Sequence, residues 1–311
     1  MKNPMSRRIS LHLSLSTLYL TALAGAAVLL WSGCPRTLSY NDPLPNAKVA
    51  ETIRKSIDQA GSGGGAAAGP QPQGWATIRG VITVNGATPS PAPLETKTSD
   101  PCGVVLDTSL LVNPENNGLA YVVVFLNDGL MENDLEAAAP KWVHPSYRLT
   151  EETRFHNFDQ KNCIFLDRAA AVRSDQELRI LNSDGFAHNT SIKDRFNRTM
   201  PANSEFNWGP NGESRDPVPV SCAIHPWMSS HLLIRDNPYF AVTDANGRFE
   251  IKNVPSDVEL EFRVWHERTG YVPDATVNGQ AESWSKGKFS RTFTDGEELE
   301  MNVVLNNSLF Q

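Results

Sequence analysis

The chain has 311 residues, of which 40% are hydrophobic and 20% charged, and a formal net charge of −7 at pH 7. This length and polarity fit about two globular domains, each large enough to bury its own core. The charge is spread along the sequence, and no basic stretch is interleaved with aromatic residues, so nucleic acid is not expected as a partner.

Residues 1–33 are typical of an export signal. Basic residues precede an uncharged stretch rich in Leu and Ala, residues 9–31, which ends at Ser32, Gly33 and Cys34. This ending resembles a lipoprotein signal, in which Cys34 carries the lipid. Trp31 departs from that pattern, and the stretch is long enough for an uncleaved anchor, so lipoprotein, anchor and simple secretion all stay open. We expect a bacterial protein tethered to a membrane outside the cytoplasm, in the periplasm or at the cell surface.

Residues 34–72 form a predicted tether, because the part from residue 61 onward is rich in Gly, Ala and Pro and cannot build a core. From residue 73 the pattern changes to short strands with almost no helical periodicity. Apolar runs or strict alternation predict strands over residues 77–84, 120–126, 177–181, 248–251 and 258–264. Many short strands predict an all-β protein of Greek-key sandwich type.

The part after residue 236 has its own pattern. Residues 240–249 predict a strand, a tight turn and a strand, and Asn246-Gly247 is a strong hairpin signal. This motif, with Thr243, Gly247 and Phe249, resembles the small transthyretin-like sandwich of carboxypeptidase regulatory domains. We therefore divide the chain into residues 73–236 and 237–311. The segment 78–84 is similar to the first strand of the same module, so an interleaved arrangement of the two domains stays open.

A mixed set of sulfur and nitrogen donors marks the candidate site. Cys222, His225 and Met228 offer a thiol, an imidazole and a thioether at three-residue intervals, and His188 follows a predicted strand upstream. One thiolate, two imidazoles and a weakly bound thioether form the ligand set of a blue-copper centre. Each residue alone is more often a core residue, but the combination predicts one mononuclear copper ion.

With this motif the chain resembles the cupredoxins, and most closely those with the short, amicyanin-like ligand loop. The resemblance covers roughly residues 100–235 and implies a one-electron carrier with a type 1 copper site. It assigns the thiolate to Cys222, the imidazoles to His188 and His225, and the axial ligand to Met228. It also implies that Asn189 ties the two ligand segments together.

Ile224 stands where the amicyanin-like loop has Pro. Unlike Pro, Ile has a backbone N–H, and a hydrogen bond from it to the Cys222 sulfur would favour Cu(I) and raise the reduction potential.

Pro226 and Trp227 follow the histidine of the loop. They suggest an apolar collar around the edge of His225 at the surface, with Trp227 as a port for electrons to a redox partner. Packing of Trp227 into the core is the alternative.

Three cysteines remain after the export signal. In an oxidising compartment, Cys102 and Cys163 form a candidate disulfide, which leaves Cys222 free for a metal. The alternative is that both are buried and reduced.

The remaining residues predict no enzyme. No Ser-His-Asp arrangement, paired-carboxylate site, phosphate loop or second copper motif is recognisable. His231, His266 and Glu267 are interpreted as structural side chains rather than an auxiliary metal site. Copper delivery or storage, and a cell-surface binding protein without redox activity, are the alternative functions.

Overall fold

The computed structural model of the chain describes residues 72–96, 101–127 and 142–311. The predicted export signal, Cys34 and the tether up to residue 71 lie outside these residues. Within them, no helix has the length and apolarity needed to cross a bilayer. Strands make up most of the described regular structure, and the all-β prediction is confirmed.

The described residues contain nineteen strands and three short 3-10 turns. The strands are β1 Trp75–Asn85, β2 Val123–Leu126, β3 Phe155–Lys161, β4 Ile164–Phe165, β5 Ala169–Arg173, β6 Glu177–Asn182, β7 His188–Ile192, β8 Phe196–Met200, β9 Ser204–Trp208, β10 Val218–Ser221, β11 Ser229–Arg235, β12 Phe240–Val242, β13 Arg248–Pro255, β14 Glu259–His266, β15 Gly270–Tyr271, β16 Asp274–Val277, β17 Gln280–Ser283, β18 Lys288–Thr292 and β19 Glu298–Asn306. The turns are Pro145–Tyr147, Ser285–Gly287 and Asn307–Phe310.

The strands form four sheets. Sheet I has the order β13-β1-β19-β16-β17, and sheet II has the order β12-β2-β14-β15, with β18 also paired to β14. Sheet III has the order β5-β11-β10-β7-β8, and sheet IV the order β4-β3-β6-β9. We call sheets I and II the C-terminal sandwich, and sheets III and IV the middle sandwich. Each sandwich encloses its own apolar cluster.

The division predicted at residue 236 does not follow the strand pairing. β1 lies between β13, to which it is antiparallel, and β19, to which it is parallel, and β2 pairs with β12 and β14. Both strands precede the middle sandwich in the sequence but belong to the C-terminal one. The two domains are therefore interleaved along the chain. The apolar face of β1 completes the core of the C-terminal sandwich.

β2 joins the two sandwiches. Val124 and Leu126 point into the C-terminal core, whereas Val123 and Phe125 belong to a third apolar cluster with Leu233 of β11. Successive side chains of a strand point to opposite faces, so a continuous apolar run indicates burial on both faces. β2 is apolar at all four positions because both of its faces are buried.

The predicted hairpin at Asn246-Gly247 is wrong in its pairing, although the tight turn is present. The N–H of Gly247 donates to the carbonyl oxygen of Asp244 at 2.9 Å, but β12 pairs in sheet II and β13 in sheet I. The Thr243 hydroxyl instead donates to Leu119 and accepts from the N–H of Val122, which holds β12 against β2. The turn therefore connects the two sheets of the sandwich.

Gly247 is required where this turn meets β1, and we expect Gly247→Ala to destabilise the protein by about 2–4 kcal/mol. Its φ is +73°, and an added Cβ would lie 2.2 Å from the carbonyl oxygen of Ile82. Gly279→Ala is the matched control, since its φ is +83° but no atom lies within 4 Å of the added Cβ. Urea unfolding of the full chain measures both. Equal losses in the two variants would contradict the close contact with Ile82.

Two histidines are held neutral where the sandwiches meet. Burial, and next the charge of Arg168, lower the pKa of His231 to about 4 and that of His266 to about 3. Arg268 also faces His266, and Trp265 lies 4.8 Å from the ring of His231. Protonation of His266 would place a positive charge near Arg168 and Arg268, and protonation of His231 would place one near Arg168. Both rings therefore stay neutral.

The stability of the fold should fall as the pH decreases from about 7 towards 4. The unfolded histidines take up protons near pH 6.5, whereas the folded ones do not, so acid favours the unfolded state by about 1.4 kcal/mol per pH unit for each histidine. Urea unfolding midpoints at pH 7 and pH 5 measure the slope. The variant H231Q/H266Q should have a shallower slope than the wild type, and an unchanged slope would rule out these two groups as its source.

Candidate metal centre

The Cys-His-Met segment forms a closed loop between two neighbouring strands. β10 and β11 are antiparallel and end at the pair Ser221 and Ser229. Beyond this pair, the N–H of Cys222 donates to the carbonyl oxygen of Met228 at 3.2 Å. The N–H of Met228 donates to the carbonyl oxygen of His225 at 3.0 Å. The hydrogen bonds of the sheet thus continue into the loop. They fix the backbone positions from which the side chains of Cys222, His225 and Met228 extend.

His188 reaches the loop from the adjacent strand. It is the first residue of β7, which is antiparallel to β10. Its neighbour Asn189 binds the loop twice: its N–H donates to the Cys222 sulfur at 3.2 Å, and its side-chain oxygen accepts from the N–H of Ala223 at 3.2 Å. Asn189 therefore joins the two ligand segments.

Three potential ligand atoms converge in the interior. The Nδ1 atoms of His188 and His225 are 2.9 Å apart, and the Cys222 sulfur lies 3.9 Å from Nδ1 of His225. The donor atoms of these three residues lie within 4.8 Å of one another. His188 is 0% exposed, and Cys222 and His225 are each 3% exposed. Met228 is also buried and packs in the same apolar cluster as Cys222.

The surroundings favour a thiolate at Cys222. Burial alone would raise the pKa of the thiol, but hydrogen bonds from His188 and from the backbone N–H groups of Asn189, His225 and Ile224 outweigh it and lower the pKa. A thiolate is the form of cysteine that binds metals. The sulfur is thus prepared for a cation by groups of this chain.

Asp184 orients His188 and was not singled out from the sequence. Its carboxylate lies 2.7 Å from Nε2 of His188 and accepts from the N–H groups of Asn162 and Cys163 at 2.8 and 2.9 Å. Burial alone would raise the pKa of Asp184, but these hydrogen bonds lower it. Because the carboxylate binds Nε2, Nδ1 of His188 is left for the site.

Asp184 lies in the loop between β6 and β7. No strand or helix periodicity connects it to His188, so the only sequence signal was an acidic residue close to a candidate ligand.

The donor set fits a copper ion. Donors bound to one ion at about 2.0–2.3 Å lie no more than about 4.6 Å apart, and the two measured separations meet that limit. Thiolate with two imidazoles suits copper in both oxidation states, unlike the oxygen ligands that Ca²⁺ or Mg²⁺ prefer. The hydrogen bond between Asp184 and Nε2 of His188 is of the kind by which a carboxylate often supports a metal-bound histidine.

The residues around the loop lie partly where the sequence predicts them. Ile224 and Pro226 are exposed, and Trp227 is half-buried, with its ring centroid 5.1 Å from that of His225. The indole N–H of Trp227 donates to the carbonyl oxygen of Cys163 at 3.1 Å. The expectation that the edge of His225 reaches the surface is wrong, since Phe186, Trp227 and the Cys102–Cys163 pair lie close to its ring.

The structure contains a disulfide between Cys102 and Cys163, and Cys222 is free. The disulfide is next to the metal centre: the sulfurs of Cys102 and Cys163 and a ring nitrogen of His225 lie within 4.8 Å of one another. The pairing is the one expected when Cys222 is reserved for a metal, but its position beside His225 was not predictable, because Cys102 is distant from the ligand loop in the sequence.

His231, His266 and Glu267 do not gather around a common point. Among the described residues, every group of three metal-binding side chains includes His188 or His225. Glu267 instead accepts two hydrogen bonds from the guanidinium of Arg168. These residues act in packing at the junction of the sandwiches.

No family model and no curated protein matches the chain. Among solved structures, it is similar to amicyanin from Paracoccus versutus, with 12% identity and a TM-score of 0.24, covering 28% of this chain and 86% of that one. It is also similar to the copper-containing nitrite reductase of Thermus scotoductus SA-01, with 13% identity and a TM-score of 0.23, covering 25% of this chain and 21% of that one.

Asp184→Asn should weaken copper binding about 10–100-fold, because the amide is a poorer acceptor for the imidazole N–H than the carboxylate. The affinity is measured by competition with a copper chelator. Asp194→Asn is the matched control, since it removes the same charge from an exposed turn. An affinity equal to that of the wild type would show that Asp184 does not support a metal ligand.

Ile224→Pro should lower the reduction potential of the copper-loaded chain by roughly 40 mV, which corresponds to about 1 kcal/mol for one electron. The substitution removes a backbone N–H that faces the Cys222 sulfur. Ile224→Val keeps this N–H and serves as the control. A potentiometric titration that gives an unchanged or higher potential for the Pro variant would contradict the role of this hydrogen bond.

Proposed function

We propose that the chain is a cupredoxin-like protein with one type 1 copper ion that carries single electrons outside the cytoplasm. The observation that supports this most is the buried convergence of the His188 and His225 Nδ1 atoms with the Cys222 sulfur. His188, Cys222 and His225 are the proposed equatorial ligands, and Met228 is the proposed axial ligand. The ion would supply a reversible Cu(II)/Cu(I) couple.

The protein groups hold the ligands before any ion binds. The hydrogen bonds of Asn189 and the closure of the loop at Cys222 and Met228 restrict the positions of the donors. Asp184 fixes the ring of His188. A rigid ligand set changes little between two oxidation states, which suits electron transfer.

Burial favours a carrier over a copper-delivery or storage protein. A delivery protein must pass its ion to a partner, which requires ligands that the partner can reach. Here His188, Cys222 and Met228 are each no more than 3% exposed. The ligand set is therefore built to keep the ion. We propose no enzymatic reaction for this chain alone.

The remaining assignments follow from the sequence. Residues 1–33 are the proposed export signal, and Cys34 is the proposed lipid attachment site that would tether the protein to a bacterial membrane. The C-terminal sandwich is proposed to be a transthyretin-like module, on the strength of the motif at residues 243–249. Trp227, half-buried beside His225, is the proposed route for electrons to a redox protein.

Repeated reduction and reoxidation in the presence of a competing chelator tests the carrier function. The full chain in detergent is loaded with Cu(II) and taken through several cycles at controlled potential. A carrier should keep its ion and return the same one-electron midpoint potential in each cycle. Loss of the ion to the chelator on reduction would contradict the carrier and support copper delivery.

A further inference from the structure

The disulfide lies beside the imidazoles of the proposed metal centre. A ring nitrogen of His225 lies within 4.8 Å of the sulfurs of both Cys102 and Cys163. The Cys163 sulfur also lies within 4.8 Å of a ring nitrogen of His188 and a carboxylate oxygen of Asp184. Two sulfur atoms that form no part of the proposed copper site are thus in reach of its imidazoles.

Cys163 occupies an unfavourable backbone position. Asn162 and Cys163 form the two-residue turn between β3 and β4, with φ of 54° and 58°. A turn with two positive φ values prefers Asn followed by Gly, and a residue with a Cβ is strained there. Asp184 holds the turn by accepting both of its N–H groups. The position thus keeps a thiol-bearing residue despite this backbone cost.

The two sulfurs differ in accessibility. Cys102 is half-buried, whereas Cys163 is 0% exposed. The thiolate of an external dithiol can attack the Cys102 sulfur, which breaks the Cys102–Cys163 bond and releases the Cys163 thiolate. The second thiol of the reductant then displaces Cys102. The products are two cysteine thiols in this chain and one disulfide in the reductant.

We infer that the reduced Cys102–Cys163 pair binds a second soft ion, Cu(I), between its two thiolates, while His225 stays with the first ion. Two thiolates form a soft donor set that suits Cu(I). Donors at about 2.3 Å from one ion are at most about 4.6 Å apart, which small movements of the freed sulfurs can satisfy from the present spacing. The inference extends the proposed copper function, but its measurement does not depend on the first ion.

Anaerobic titration with Cu(I) against a chromogenic chelator tests the site. The full chain is used either oxidised, or reduced with a phosphine that is removed before the titration. We expect one tightly bound Cu(I) in the oxidised chain and two in the reduced chain. Reduced C102S/C163S should bind one. If the reduced wild type still binds one, or if the double variant also binds two, the inference is wrong.

Cys222→Ser separates this inference from the proposed function. When oxidised, this variant should bind Cu(I) at the first site more weakly than the wild type, and it should gain one tightly bound Cu(I) on reduction. If the oxidised wild type binds none while its reduced form binds one that C102S/C163S loses, the proposed carrier site fails and the second site stands.

A chemical block replaces the double variant if that variant does not fold. The oxidised chain is first loaded with one Cu(I), then reduced and alkylated. Cys222 is protected by its ion, so the half-buried Cys102 is the thiol that reacts first, as peptide mass spectrometry can verify. The blocked chain should bind no further ion, and uptake of a second ion would overturn the inference.

Discussion

The hydrogen bond from the N–H of Cys222 to the carbonyl oxygen of Met228 continues the β10–β11 ladder by one step, and the whole candidate site depends on it. It makes the two ends of the ligand segment neighbours, so that three residues of one short loop can face the same point. A loop of this kind can hold an ion only if its base is rigid. The strands at its base supply that rigidity, because β10 is paired on both edges, with β11 and β7.

The C-terminal sandwich adds support from the far side of β11. Leu232 and Ile234 of this strand point into the core below the ligand loop, and Leu233 points into the cluster shared with β2. Arg235 is fully buried at the end of the strand and donates to the carbonyl oxygen of Leu126 at 3.1 Å. The position of β2 in the C-terminal sandwich therefore also steadies β11, the strand that Met228 directly precedes.

The sequence predicted what depends on local pattern and missed what depends on the path of the chain. The strand patterns placed β1, β6 and β14 closely and β13 at its start, and the donor spacing identified the residues that converge. Strand pairing was not predictable at Asn246-Gly247, because tight turns also connect separate sheets. The position of the disulfide was missed because only the tertiary fold brings Cys102 and Cys163 to His225. Asp184 was missed although it is close to His188 in the sequence, because a loop has no periodicity that shows which way a side chain points.

The optical spectrum of the full chain loaded with Cu(II), compared with that of Cys222→Ser, tests the central claim most directly. If Cys222 binds the copper as a thiolate, the wild type should have an intense visible band from charge transfer between sulfur and copper, and the variant should lack it. A wild type that binds no copper, or binds it without this band, would contradict a type 1 centre at His188, Cys222 and His225.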